Sequence, residues 1–160
     1  MNKPQKPGAP VIRNAVATDQ DRIRALVFAV LDEYEIEPAP KTTDRDLNDI
    51  EQFYKTGMFA VMENGDGDLI GTVGFASLSA TVCELRKMYL KPSGRGRGYG
   101  AQLLKYAIGK ARGMGFERIE LSTKRVMEEA IGLYTKYGFK TTDSKPVDLR
   151  CDQTLVLKLN

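Results

Sequence analysis

Six residues, Arg95-Gly96-Arg97-Gly98-Tyr99-Gly100, carry the clearest chemistry in the sequence. With Gly94 they put four glycines into seven positions. They follow an extended, alternating segment at 83–90 and a proline stop at Pro92, and they open into a helix beginning near Tyr99. Glycines at such a junction let the backbone approach a ligand closely, and the first N–H groups of the helix have no carbonyl partner inside it. The helix dipole adds about half a positive charge. A phosphate or pyrophosphate is the natural guest, with Arg95 and Arg97 supplying charge to hold it; a plain surface turn with exposed arginines is the alternative. The chain has no histidine, so proton transfer falls to carboxylates, tyrosines, lysines, cysteines or water.

Positioning these residues takes a fold of ordinary size. The 160 residues fit one domain, and 42% hydrophobic with 28% charged residues is the balance of a globular protein. A net charge of +3 is too small to argue for a nucleic-acid partner. The two cysteines, Cys83 and Cys151, lack metal-ligand spacing and read as small hydrophobes in a reducing cytoplasm, with no metal expected. No apolar run reaches the roughly 18 residues of a membrane span, and residues 1–10 lack a signal-peptide core. The expectation is a cytoplasmic protein without a membrane partner.

In chain order, residues 1–9 read as a flexible lead-in and 10–160 as a single domain. A short strand at 11–16 precedes a helix capped by Thr18, with Ile23, Leu26, Val27, Val30 and Leu31 at helical spacing. Pro38 and Pro40 break it, and a second helix is expected over 43–54, with Leu47, Ile50, Phe53 and Tyr54 on one face. Strands at 58–62 and 69–78 flank Asn64-Gly65-Asp66-Gly67, which is hairpin chemistry. The strand at 83–90 completes an antiparallel meander. A helix over 99–114, closed by Gly115, leads to a strand at 118–123, a crossover that implies one parallel pairing. A helix over 127–137 and strands at 139–142 and 154–159 finish the chain.

Charge is unevenly spread. Eight acidic residues lie between Asp32 and Glu51, whereas eleven basic residues lie between Arg86 and Arg125. A solvated face explains the acids; the functional alternative is a wall that attracts a cationic acceptor.

Three blocks, ELRKMYLKPSGRGRGYGAQLL, RIELST and EEAIGLYTKYGF, resemble the GNAT superfamily of acyl-CoA-dependent N-acyltransferases. The superfamily signature is Gln or Arg, two residues, Gly, one residue, then Gly or Ala, and Arg95 to Gly100 match it. The resemblance implies an α/β GNAT fold: a mixed, mostly antiparallel sheet of six to seven strands flanked by about four helices. It further implies acetyl-CoA as co-substrate, with Met88, Tyr89 and Leu90 along the pantetheine and thioester, and Arg95, Gly96, Arg97, Gly98, Tyr99, Gly100 and Ala101 around the pyrophosphate. Tyr134 matches the tyrosine that protonates the departing thiolate, a task suited to a phenol that is neutral at pH 7. Glu84 matches the position of the catalytic glutamate in the histone-acetylating branch, which works through water; a salt bridge to Arg86 is its structural alternative.

The acceptor is expected to be a primary amine of a small molecule or peptide, with Glu33 and Tyr34 as contacts, and a homodimer is left open. Two positions depart from the superfamily. Met127 stands where many members have a CoA-contacting asparagine, and Ser122 where the ribosomal-protein-acetylating branch has a glutamate. Two rivals remain: a CoA-binding sensor that has lost catalysis, and a dinucleotide fold reading Gly96 to Ala101 as G-x-G-x-x-A with Glu120 downstream.

Overall fold

The computed structural model describes residues 9–146 and 150–159, and its layers follow from where alternate side chains point. In β2 (Met58–Glu63), Met58, Ala60 and Met62 enter one hydrophobic cluster while Phe59 and Val61 enter the other. A strand that feeds two cores must lie between two layers of helix. On one side α1 (Gln20–Glu33) supplies Ile23, Leu26, Val27, Val30 and Leu31. On the other, α3 (Tyr99–Gly113) supplies Leu103, Leu104, Ala107, Ile108 and Ala111, and α4 (Glu128–Lys136) supplies Tyr134.

The remaining strands are β1 (Val11–Asn14), β3 (Leu69–Ser77), β4 (Val82–Leu90), β5 (Arg118–Thr123), β6 (Lys140–Thr142) and β7 (Gln153–Lys158). They form one seven-stranded sheet in the order β1-β2-β3-β4-β5-β7-β6. β4 pairs with β5 in parallel, across the crossover through α3, and every other pairing is antiparallel. Four helices flank the sheet once the short α2 (Ile50–Phe53) is included. This is the expected mixed, mostly antiparallel architecture. It excludes the dinucleotide-binding alternative, which needs a parallel sheet; Glu120, the downstream acid of that pattern, pairs with Arg118 at 3.0 Å.

The helix expected over 43–54 is two pieces. A 3-10 turn at Arg45–Asn48 is separated from α2 by Asp49, whose φ of −153° is extended and whose carboxylate accepts from the Gln52 amide. Asp44 and Asp46, both buried, turn toward cations on β4 and at Arg150. That demand overrides the helical periodicity. Thr18 is not a cap either. It lies inside the 3-10 turn Ala17–Asp19 that precedes α1, and Asp19 accepts from the Val16 amide at 2.9 Å while binding Arg13 and Arg22. The lead-in falls largely on residues 1–8, outside those described.

Candidate functional site

β4 and β5 part company early. They pair only from Val82–Arg118 to Glu84–Glu120. Beyond Glu84, β4 stays joined to β3 as far as Leu90, while β5 stays joined to β7 as far as Thr123. The facing edges therefore open into a wedge, and on each the N–H and C=O groups are available to a guest. The wedge holds a narrow cleft of about 80 Å³ lined by both strands (Leu85 to Tyr89 and Leu121 to Thr123) and by Met127, Ala130 and Tyr134 of the α4 segment.

Inside the wedge β4 bulges. The register with β3 shifts between Thr72 and Gly74, and Lys87 takes φ +54°, a left-handed conformation that costs a non-glycine residue about 1–2 kcal/mol. Thr72 Oγ1 donates to the Lys87 carbonyl at 2.7 Å and holds the bulge. A bulge re-aims the residues that follow it, here Met88 and Tyr89.

The glycine loop closes the open end of the wedge. Gly96 and Gly98 have φ of +75° and +80°, values that any side chain would strain. Gly98 is the N-cap of α3. Among the described residues, no protein acceptor takes a hydrogen bond from the amides of Gly96 through Ala101, so this turn presents a row of unclaimed donors at a helix N-terminus. A Cβ at Gly100 would come within 3.3 Å of Leu133, which makes glycine the close-packing choice there. Arg97 is exposed, whereas Arg95 bonds Glu33 through both Nη atoms, at 2.7 and 3.0 Å, and the Leu90 carbonyl at 2.9 Å. Arg95 thus ties the loop to α1 and to the end of β4. These features fit an adenylated thioester cofactor: a strand edge for an amide-bearing arm, followed by a donor-rich turn for its pyrophosphate.

A second, wider cleft of about 570 Å³ lies next to the first and shares with it Leu85, Arg86, Lys87, Tyr89, Ser122, Arg150 and Cys151. Its outer wall is the segment Lys41, Thr42, Thr43 and Arg45, with Phe53 and the end of β3. Behind it lies an ionic cluster. Lys87 Nζ sits 3.1 Å from Asp44 and 3.3 Å from Asp46, Arg150 forks onto Asp44 with two bonds of 2.9 Å, and Tyr54 donates to Asp46. Arg86 lies 3.6 Å from Asp46 and stacks on the Phe53 ring. Burial opposes the charge on Asp44, but Arg150, the Ala39 amide and Lys87 outweigh it and hold the carboxyl down at about 2.

The expected site residues separate into groups. Tyr134 lines the wedge and is buried, and burial pushes its phenol well above the usual range, so it stays protonated at neutral pH. Glu84 lines the second cleft and accepts from Arg86 Nη1 at 2.6 Å; the salt bridge is real, and the carboxylate still borders the cleft. Met88 and Tyr89 line the wedge, and Leu90 packs against the adjoining core. Glu33 and Tyr34 line neither cleft: Glu33 is engaged by Arg95, and Tyr34 packs on the α1 core. None of the eight acidic residues between Asp32 and Glu51 lines either cleft. Among the described residues no group of His, Cys, Asp and Glu could hold a metal ion.

Sequence reasoning passed over the Tyr89 side chain, Lys41, Arg45 and Arg150. Tyr89 reaches both clefts, and its phenol is raised by burial, with Tyr134 and Asp44 adding to the effect. The bulge that aims it leaves no trace in composition. Lys41 and Arg45 were lost in an acidic segment, and Arg150 meets Asp44 across 106 positions, beyond any local pattern.

Residues 24–139 match the acetyltransferase (GNAT) family. An uncharacterised N-acetyltransferase of Escherichia coli K12, YjgM, is 33% identical over 143 residues, covering 86% of each chain. An uncharacterised N-acetyltransferase of Schizosaccharomyces pombe is 27% identical over 78% of each. Among solved structures, a GNAT-family acetyltransferase of Staphylococcus aureus Mu50 superposes with a TM-score of 0.87 at 21% identity, over 95% of this chain and all of that one. YncA of Salmonella typhimurium, determined with its cofactor acetyl-CoA, gives 0.76 at 22% identity, over 95% of each. The wedge, the glycine turn and these likenesses agree: the chain belongs to the GNAT family of acetyltransferases.

Proposed function

We propose that the chain, read as one domain over residues 10–160, moves the acetyl group of acetyl-CoA directly onto a primary amine of a small molecule or peptide. The observation that carries this is the parting of β4 from β5 beyond Glu84, with the unclaimed amides of Gly96 through Ala101 at its open end. Bound acetyl-CoA would supply an acetyl thioester, already activated toward amines. The edge of β4 around Met88 to Leu90 holds the pantetheine arm and polarises the thioester carbonyl, while the glycine turn and Arg97 hold the pyrophosphate. Fixing both reactants in one wedge removes the entropy of their encounter.

Proton transfer remains. An alkylamine is mostly protonated at pH 7; Glu84, through water, takes that proton, and the freed lone pair then forms the C–N bond. Tyr134, which lines the wedge, gives its phenolic proton to the sulfur as the C–S bond breaks, and the second proton shed by the new amide nitrogen restores the phenol. We place the enzyme in the cytoplasm; among the described residues no helix is long and apolar enough to cross a membrane.

The experiment is release of CoA thiol from acetyl-CoA over a panel of amines. Acceptor-dependent release that collapses in Tyr134→Phe supports the reading. Acetyl-CoA that neither raises the melting temperature nor releases thiol with any amine refutes it. A Glu84→Gln variant with an unaltered pH–rate profile would remove Glu84 from the mechanism.

A further inference from the structure

The second cleft tells more about the acceptor than the sequence did. Its charged lining is Lys41, Arg45, Arg86, Lys87 and Arg150 against Glu84 alone. Glu84 is already bonded to Arg86. The two carboxylates of the cluster behind it, Asp44 and Asp46, are 1% and 0% exposed and are covered by Lys87, Arg86 and Arg150. Among the described residues, Arg86, Lys87 and Arg150 face Asp44, Asp46 and Glu84, which leaves the charge of Lys41 and Arg45 in excess. Lys41 and Arg45 are both exposed, and among the described residues neither forms an ion pair.

We infer that the acceptor amine carries a carboxylate, and that Lys41 and Arg45 on the rim of this cleft bind it while the shared wall of Arg86, Lys87 and Tyr89 turns the amine toward the wedge. The inference rests on the acetyl-transfer reading and narrows its substrate class to amino acids and related amino carboxylates. Two effects of the positive field point the same way. It attracts an anionic group and repels a second ammonium, which disfavours polyamines, aminoglycosides and lysine-rich peptides. It also disfavours the protonated form of the reacting amine, and only the unprotonated form attacks.

The test compares free L-amino acids with their neutral carboxamides and with spermidine, by thiol release from acetyl-CoA. Amino-acid amides have the less basic amine and so offer more of the reactive form at pH 7; a preference for the free acid runs against intrinsic reactivity and reports recognition. At least one amino acid should exceed its amide in kcat/KM by about tenfold or more, one charged contact being worth about that factor. Arg45→Gln and Lys41→Gln should each raise KM for that amino acid about five- to tenfold and narrow the acid-to-amide ratio, with KM for acetyl-CoA unmoved. Lys140→Gln, exposed on the edge strand β6, removes equal charge elsewhere and should leave the ratio intact.

Amides or spermidine used as well as the acids would overturn the inference. So would a panel without any amino-acid acceptor on protein that binds acetyl-CoA in calorimetry. Protein that fails to bind acetyl-CoA at all would instead overturn the acetyl-transfer reading beneath it.

Discussion

Lys87 offers the most exposed test of how the site is held. Its ammonium lies 3.1 and 3.3 Å from two buried carboxylates, and its side chain is 6% exposed. At an effective dielectric of ~20 each pair contributes roughly 5 kcal/mol of attraction, against a dehydration cost of several kcal/mol for the ammonium. In Lys87→Met the stem is preserved and the charge is lost. Asp44 keeps Arg150 and Asp46 keeps Tyr54, so the expected loss sits near the low end for a broken buried pair, about 3 kcal/mol. That is a large part of the 5–15 kcal/mol typical of a domain. Urea denaturation followed by circular dichroism should show the midpoint falling by roughly 1–2 M.

A second signature separates charge from packing. Asp44 titrates at about 2 in the folded chain against an ordinary 3.8. A depressed carboxyl adds stability that is complete above the ordinary value and vanishes as pH falls through the folded one. The wild type should therefore lose about 2 kcal/mol from this group between pH 4 and pH 2. In Lys87→Met the folded value rises toward 3.8 and that acid-dependent loss shrinks. A variant with an unchanged midpoint and an unchanged acid profile would refute the claim that Lys87 holds the cluster.

Three other outcomes are expected. Tyr134→Phe should lower kcat by about two orders of magnitude, the lower range for losing a general acid, with KM for acetyl-CoA within about twofold in steady-state kinetics. Gly98→Val forces a β-branched residue to φ +80° at the start of α3, and the distorted turn should weaken acetyl-CoA binding about tenfold or more in calorimetry. Cys83 is fully buried and burial pushes its thiol up to about 12, so in a Cys151→Ser background an aromatic disulfide reagent at pH 8 should find no reactive thiol until the chain unfolds.

What the sequence disclosed divides along the range of the interactions. Strands came through because their signal is local: 58–62 is a short, unbroken apolar run, 64–67 turns, and Pro92 stops β4 before the glycines. Side chains facing two cores at once left the sheet and its single parallel pair readable. The 43–54 segment misled because Leu47, Ile50 and Phe53 keep helical spacing while Asp44 and Asp46 serve partners dozens of residues away. Counting acids in that segment suggested a negative wall; burial and pairing turn the cleft positive. The wedge itself has no residue signature, since it arises where β4 and β5 part while each keeps its other neighbour.

The place of β7 in the sheet bears on how the chain is made. It is the last strand in sequence among the described residues, yet it lies between β5 and β6 and pairs with six residues of β5. While a ribosome is still delivering residues 153–158, β5 carries a bare edge beside the half-built wedge, with Leu121 and Ile119 already in place to collapse. Nascent chains stalled or trimmed before that strand would expose a template for edge-to-edge association. A chain cut within 153–158 should therefore aggregate or be degraded.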